Sequence, residues 1–247
     1  LDDATAKLLG IDGLEAKRRR ERMEGAFGRL ASMQVANGHF SMWGDDGYVN
    51  PGLTPYIVEF LLDAREAGFA VPEAVLQKAL ERLSEDLLSG GNEFYGYDHR
   101  SHLKLAYQAH AGYVLARVNR APLGTLRALY DNERSKSLTG LPLVHLGLAL
   151  GLQGDKTRGE QAIAQGFGVA LRWSSLFYCF IGVLWGTVVG VLPGLGPLAG
   201  MSLLLPLTFT LEPANAIIML AGIYYGAMYG GSTTSILVRI PGESASV

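Results

Sequence analysis

Charge is distributed very unevenly along this 247-residue sequence, and that unevenness limits the folds open to it. There are 21 Lys and Arg against 23 Asp and Glu, and all but four of them (Arg172, Glu212, Arg239 and Glu243) lie within the first 168 residues. From Trp173 to Leu211, and again from Pro213 to Val238, no residue is charged. A helix crossing the apolar interior of a bilayer needs about 20 predominantly apolar residues. Two solvents are therefore expected for one chain, water for the first two thirds and lipid for the last. The near balance of basic and acidic residues argues against nucleic acid, whose phosphates call for a positive excess. The single cysteine, Cys179, sits in an apolar run and reads as a small hydrophobe rather than half of a disulfide or part of a thiol metal cluster. The chain opens at Leu1 without an initiator methionine or a basic-then-apolar export signal, so it is expected to be a piece of a longer one.

The charged part reads as all-helical. Met23, Phe27, Leu30 and Ala31 recur at helical spacing between Arg20 and Gln34, with Arg19, Glu21, Arg22 and Arg29 on other faces. Thr54 and Pro55 predict an N-cap and a first-turn proline, followed by a buried stripe of Tyr56, Ile57, Phe60 and Leu61 that ends before Gly68. Pro72 opens a helix whose Leu76, Leu80, Leu83 and Leu87 lie on one face and which stops at Gly90-Gly91. Further helices are expected near Leu103–Val118, Leu123–Glu133, Leu141–Leu152 and Arg158–Gln165. Asp45-Asp46 beside Gly47 reads as a turn. His99, His102 and His110 are close in sequence, but no cysteine or well-spaced carboxylate completes a metal set. The basic run Lys17, Arg18, Arg19, Arg20 and Arg22 is interleaved with Glu15, Glu21 and Glu24, with Glu15 to Arg19 and Arg20 to Glu24 four apart, as on a solvated helix face.

Four stretches carry a resemblance: QVANGHFSMWGDDG, LTPYIVEFLLDAREAGFAVPEAV, APLGTLRALYD and TGLPLVHLGLALGLQGDKTRGEQAIA. In order and spacing, from about Leu9 to Ala164, they resemble the thioester-domain region of bacterial alpha-2-macroglobulins. The resemblance implies a toroid of paired helices in a periplasmic envelope protein that traps proteases through a covalent acyl bond. That bond depends on a Cys-x-Glu-Gln motif, which this sequence lacks. Phe27, Gln34, Gly38 and Phe40 are also similar to the repeats of terpene cyclases, which share the toroid, but the clustered aspartates of that chemistry are missing.

In the uncharged part, SSLFYCFIGVLWGTVVGVL makes one clear span and then meets Pro193-Gly194-Leu195-Gly196-Pro197, through which an α-helix is not expected to continue. Leu198 to Phe209 is too short to span. A second apolar helix is expected from about Ala214 to Met228, broken at Tyr229-Gly230-Gly231-Ser232-Thr233-Thr234-Ser235. Broken backbone is tolerated in a bilayer only where protein or a watery cavity covers it, so both breaks predict a transport site. Helix N-termini suit a carboxylate there, and hydroxyls and free carbonyls suit a cation. Gly182, Gly186 and Gly190, spaced by four, read as helix-packing positions, and alanine is expected to be mild at Gly182.

YCFIGVLWGTVVGVLPGLGPLAGMSLLLPLTF and IMLAGIYYGAMYGGSTTSILVRIPGESASV resemble the start of the large membrane subunit of tripartite tricarboxylate transporters, from about Phe167 to Val247. The resemblance implies uptake of di- or tricarboxylates across the bacterial inner membrane, driven by an ion gradient. A periplasmic binding protein would deliver the substrate and a small membrane subunit would assist. Carried over, the substrate or ion-binding residues are Gly190, Pro193, Gly194, Gly196 and Pro197, then Gly230, Gly231, Ser232, Thr233 and Thr234, with Pro241, Gly242 and Glu243 following. No cofactor is implied beyond a coupling Na+ or H+, and no enzyme activity.

The expected organisation is thus an alpha-2-macroglobulin-like helical fragment over residues 1–166 and a transporter-subunit fragment over 167–247, all-α throughout. No Gly/Ser- or Pro-rich linker separates the two. Each half is cut at a different end, which reads as a chimera not built to work as one unit. The alternative is a protease-trapping or interaction module with an accidental membrane tail.

Overall fold

The computed structural model describes residues 16–43, 49–91, 98–192 and 197–238. The expected turn at Asp45 and Asp46 lies outside them, as do Pro193, Gly194, Gly196, Pro241, Gly242 and Glu243. Most of the described residues are helical. They form α1 (Ala16–Met33), α2 (Leu53–Glu66), α3 (Glu73–Ser89), α4 (Arg100–Arg117), α5 (Leu123–Glu133), α6 (Leu141–Leu152), α7 (Lys156–Ala170), α8 (Trp173–Val191), α9 (Pro197–Thr208) and α10 (Pro213–Val238). Among the described residues, extended pairing is limited to isolated bridges, Gln34 with Phe40 and Ser41 with Val49. The chain divides into two compact units, Leu1–Ser137 with Leu141–Ala164, and Leu138–Gly140 with Gln165–Val247.

In the first unit α3 follows its leucines closely. Leu76, Leu80, Leu83 and Leu87 are buried, and Gly90 ends the helix in the left-handed region at φ +87°, where a side chain would be strained. On α2 the expected stripe is displaced. Tyr56 is 70% exposed and Phe60 37%, while Thr54, Pro55, Val58, Leu61 and Leu62 are buried. The helix begins at Leu53 with Gly52 at its N-cap position, so Thr54 is not the cap. Its hydroxyl instead bonds the buried His39 ring at 2.8 Å, and on the same helix Val58 and Leu61, not Tyr56 and Phe60, face inward. On α1, Phe27 is buried and Met23 and Leu30 pack on the core, whereas Ala31 is exposed. Helix α4 is buried on most of its circumference, from Leu105 to Ala116, and is the centre of this unit. Helices α6 and α7 meet through Gly147 and Gly159: a Cβ on either would lie 2.6–2.8 Å from the other's carbonyl oxygen.

A carboxylate sits inside this apolar frame. Asp86 is 1% exposed on the leucine face of α3. Arg82, one turn earlier, and the Tyr107 hydroxyl donate to it, and the His39 Nε2 atom lies 3.3 Å away. Burial raises the Asp86 pKa, but the hydrogen bonds from His39, Arg82 and Tyr107 outweigh it and hold the carboxyl below its usual 3.8. Its stabilisation is therefore in place above that value and is lost as pH falls below it.

The second unit is built on one helix pair. A Cβ on Gly182, Gly186 or Gly190 of α8 would lie 2.2–2.3 Å from the carbonyl oxygens of Met219, Ile223 and Ala227 of α10. Reciprocally, Gly222, Gly226 and Gly230 of α10 face the carbonyls of Cys179, Val183 and Thr187 of α8 at 2.4–2.9 Å. Partner numbers rise together along both helices, so α8 and α10 run parallel, with α9 in the connection between them. Two interlocked columns of glycine, each repeating every four residues, bring backbone onto backbone, the closest approach that helices can make. Near their first turns the Ser175 hydroxyl donates to the Asn215 side-chain oxygen at 3.0 Å, with both residues buried.

Two expectations are corrected by this pair. The break expected at Gly230–Ser235 is absent: α10 runs unbroken from Pro213 to Val238. Gly230 is filled by the α8 backbone, and Ser232 and Thr233 donate to the carbonyls of Met228 and Tyr229, each at 2.9 Å, which lets hydroxyl residues stay in a helix. Nor is Gly182 a mild site for alanine, because the new methyl would overlap the Met219 carbonyl.

Two outcomes follow from this packing. Asp86→Ala is expected to destabilise the first unit by about 1–3 kcal/mol, since it takes away the buried acceptor of the Tyr107 hydroxyl and of the half-buried Arg82 guanidinium. Denaturant unfolding of the whole chain in detergent measures this, and a loss below about 1 kcal/mol would show the network to be idle. In the second unit, a Ser175→Cys/Asn215→Cys pair with Cys179→Ser should oxidise to a disulfide. Adding Gly186→Leu should abolish the crosslink, whereas Gly168→Ala, with open space around it, should leave it intact. An unchanged crosslink in the Gly186→Leu background would contradict the seam.

Candidate functional site

Of the residues carried over from the transporter signatures, Gly190 and the stretch from Gly230 to Thr234 fall at one end of the α8–α10 pair. Gly190 closes the α8 glycine column and Gly230 the α10 column, and a Cβ on Gly230 would lie 3.1 Å from the Gly190 carbonyl carbon. One residue from each signature is thus in backbone contact. Gly231 is buried beside them, Ser232 is exposed and Thr233 half-buried one step further along α10, and Thr234 continues the helix. Pro197 is the first residue of α9. The three other members of the first signature, Pro193, Gly194 and Gly196, belong to the segment between α8 and α9 outside the described residues.

The chemistry this arrangement offers is that of oxygen acceptors. The hydroxyl protons of Ser232 and Thr233 are committed to carbonyls one turn back, so what these groups present is oxygen, the atom type that coordinates a cation. No charged side chain lies between Pro213 and Val238 to compete. Sequence reasoning missed the Ser175–Asn215 bond at the opposite end of the pair. A signal existed, because Asn215 is the single Asn or Gln after Gln165. Trp173–Val191 is, among the described residues, the one helix long and apolar enough to cross a membrane.

In the first unit the candidate residues separate. His99 occupies the N-cap position of α4 at φ +58°. His102 is held below the usual histidine pKa by burial and by the charge of His99. His110 donates to Glu59 at 2.7 Å and stacks on His145. Among the described residues no group of three His, Cys, Asp or Glu is arranged to hold a metal. Thr54, His39 and Asp86 line up like a nucleophile, base and orienting acid. All three are buried to 1% exposure or less, so no substrate reaches the hydroxyl and the array serves packing. Arg18, Arg20 and Arg22 are exposed on α1.

Comparison with known proteins assigns the two ends separately. Residues 176–247 match the Tripartite tricarboxylate transporter TctA family. An uncharacterized 52.8 kDa protein of Agrobacterium vitis is 58% identical over 84 residues, 34% of this chain and 17% of that protein. The alpha-2-macroglobulin of Xylella fastidiosa (strain Temecula1) is 68% identical over 167 residues, and that of Escherichia coli (strain K12) 40% over 162 residues. The chain spans about 10% of the length of these two proteins. The native conformation of Escherichia coli alpha-2-macroglobulin superposes with a TM-score of 0.65 at 30% identity over 92% of this chain and 15% of that one. Salmonella alpha-2-macroglobulin reacted with methylamine gives 0.65 at 29% over 95% and 15%. The chain is therefore an all-helical fusion, similar to bacterial alpha-2-macroglobulins in its N-terminal part and matching the TctA family over residues 176–247.

Proposed function

We propose that residues 167–247 are a piece of the large membrane subunit of a secondary transporter for di- or tricarboxylates, seated in a bacterial inner membrane, and that residues 1–166 take no part in transport. One observation carries the reading: residues of both transporter signatures, Gly190 and Gly230, meet where the backbone leaves α8. Backbone oxygens and the hydroxyls of Ser232, Thr233 and Thr234 suit a coupling Na+ or H+, and the Gly/Pro segment before α9 suits the carboxylate at a helix N-terminus. A periplasmic binding protein and a small membrane subunit are the partners of this reading. The activity is binding and translocation, without cofactor or catalysis.

A second reading rests on the 68% identity over 167 residues to an alpha-2-macroglobulin, which favours a periplasmic protease-trapping or interaction module. Residues 1–247 contain no Cys-x-Glu-Gln, so no thioester of that kind forms within them. Methylamine should accordingly neither label the chain nor release a thiol from it. Covalent incorporation at any glutamine without added transamidase, seen by mass spectrometry, would reverse this.

The transport reading is tested by grafting residues 167–247 into a complete transporter of the family, because alternating access needs a whole bundle. Gly194→Leu or Gly196→Leu should abolish uptake while insertion is kept, and joint replacement of Ser232, Thr233 and Thr234 by Ala should weaken coupling. Gly182→Ala, in the seam, should lower the amount of folded protein instead. Normal uptake by the Gly194 and Gly196 variants would remove the site.

A further inference from the structure

We propose that Glu59, His110 and His145 form an acid-sensitive clasp that holds α2, α4 and α6 together near neutral pH and lets α6 go in acid. The clasp is a stack of rings drawn from three helices. His110 of α4 donates through Nε2 to the Glu59 carboxylate of α2 at 2.7 Å. On its face lies the His145 ring of α6, with centroids 4.3 Å apart and planes 23° from parallel. Tyr113 of α4 is nearly coplanar in orientation with His145 at 5.6 Å, and Tyr56 of α2 meets His110 edge-on at 5.7 Å. Two neutral imidazoles stack favourably at this distance, whereas two imidazolium rings repel, and the carboxylate in the cluster is already bonded to His110.

Among the groups around His145, Glu59 favours its charged form, but that carboxylate is already bonded to His110. From α2 it faces Glu59 and Tyr56, and from α4 His110 and Tyr113. Where α7 touches α6 at Gly147, the contacts are Gly159 and Ile163, both uncharged. On α5, Arg127 and Tyr130 are turned to Asp155 and Gln161. Burial, then the charge of His110, hold His145 down to about 4 against an ordinary 6.5, although Glu59 pulls the other way. Burial also lowers His110, in spite of Glu59. The folded pKa of His145 lies below its unfolded value, so the unfolded chain takes up protons first as pH falls. The clasp is therefore fully stabilising above about 6.5 and is lost progressively towards about 4.

The test uses the whole chain in detergent micelles and does not depend on the transport reading. The thermal midpoint of the N-terminal helices should fall between about pH 7 and pH 5, and His145→Phe should remove most of that fall. Equal losses in parent and variant would overturn the proposal. Should His145→Phe fail to fold, a ring-carbon NMR titration of the parent decides, with the His145 signal assigned by its loss in His145→Gln. Titration well below 6.5 supports the clasp, and titration at or above 6.5 excludes it.

Discussion

Charged side chains must be hydrated or fully partnered, and every other feature of this chain is arranged around that constraint. Where charges are frequent, helices bury one face and leave the other to water, as α3 does with Leu76, Leu80, Leu83 and Leu87 in and Glu81 and Glu85 out. The one carboxylate admitted to the leucine face, Asp86, is surrounded by Arg82, Tyr107 and His39. Where charges become rare, after Arg172, exposed side chains become Trp173, Phe177, Phe180 and Leu184, which water would solvate poorly and lipid solvates well.

Loss of water removes the hydrophobic drive between helices, so the second unit has to be held by something else. Six glycines of α8 and α10 supply it by letting two backbones touch, with dispersion and weak backbone contacts replacing the leucine packing of the first unit. The same columns locate the transport signatures, since Gly190 and Gly230 are at once the last members of the seam and members of the two motifs. On the proposed transport reading, packing and site coincide at these positions.

The helices and their apolar faces were legible where the pattern was local. Leu76 to Leu87, the stop at Gly90 and the span after Trp173 all follow from spacing and composition. The face of α2 was not legible, because one of the residues buried on it, Thr54, is polar and its partner His39 is 15 residues away. The continuity of α10 was hidden for a related reason. Gly-Gly-Ser-Thr-Thr breaks a helix that water can invade, but each weak residue here is secured, the glycine by α8 and the hydroxyls by carbonyls one turn back. Of the candidate site, the residues were legible from the motifs; the meeting of Gly190 with Gly230 needed the parallel course of α8 and α10, which no single stretch of sequence states.

The account stands or falls on α8 lying in lipid, and the chain carries its own probe, since Cys179 is the single thiol and sits half-buried within α8. Membrane vesicles from cells making the whole chain can be treated with a membrane-impermeant maleimide before and after dissolution in denaturing detergent. The account predicts no labelling in intact vesicles and full labelling once the chain is unfolded. Full labelling of Cys179 in intact vesicles, or recovery of the chain in the soluble fraction, would contradict it.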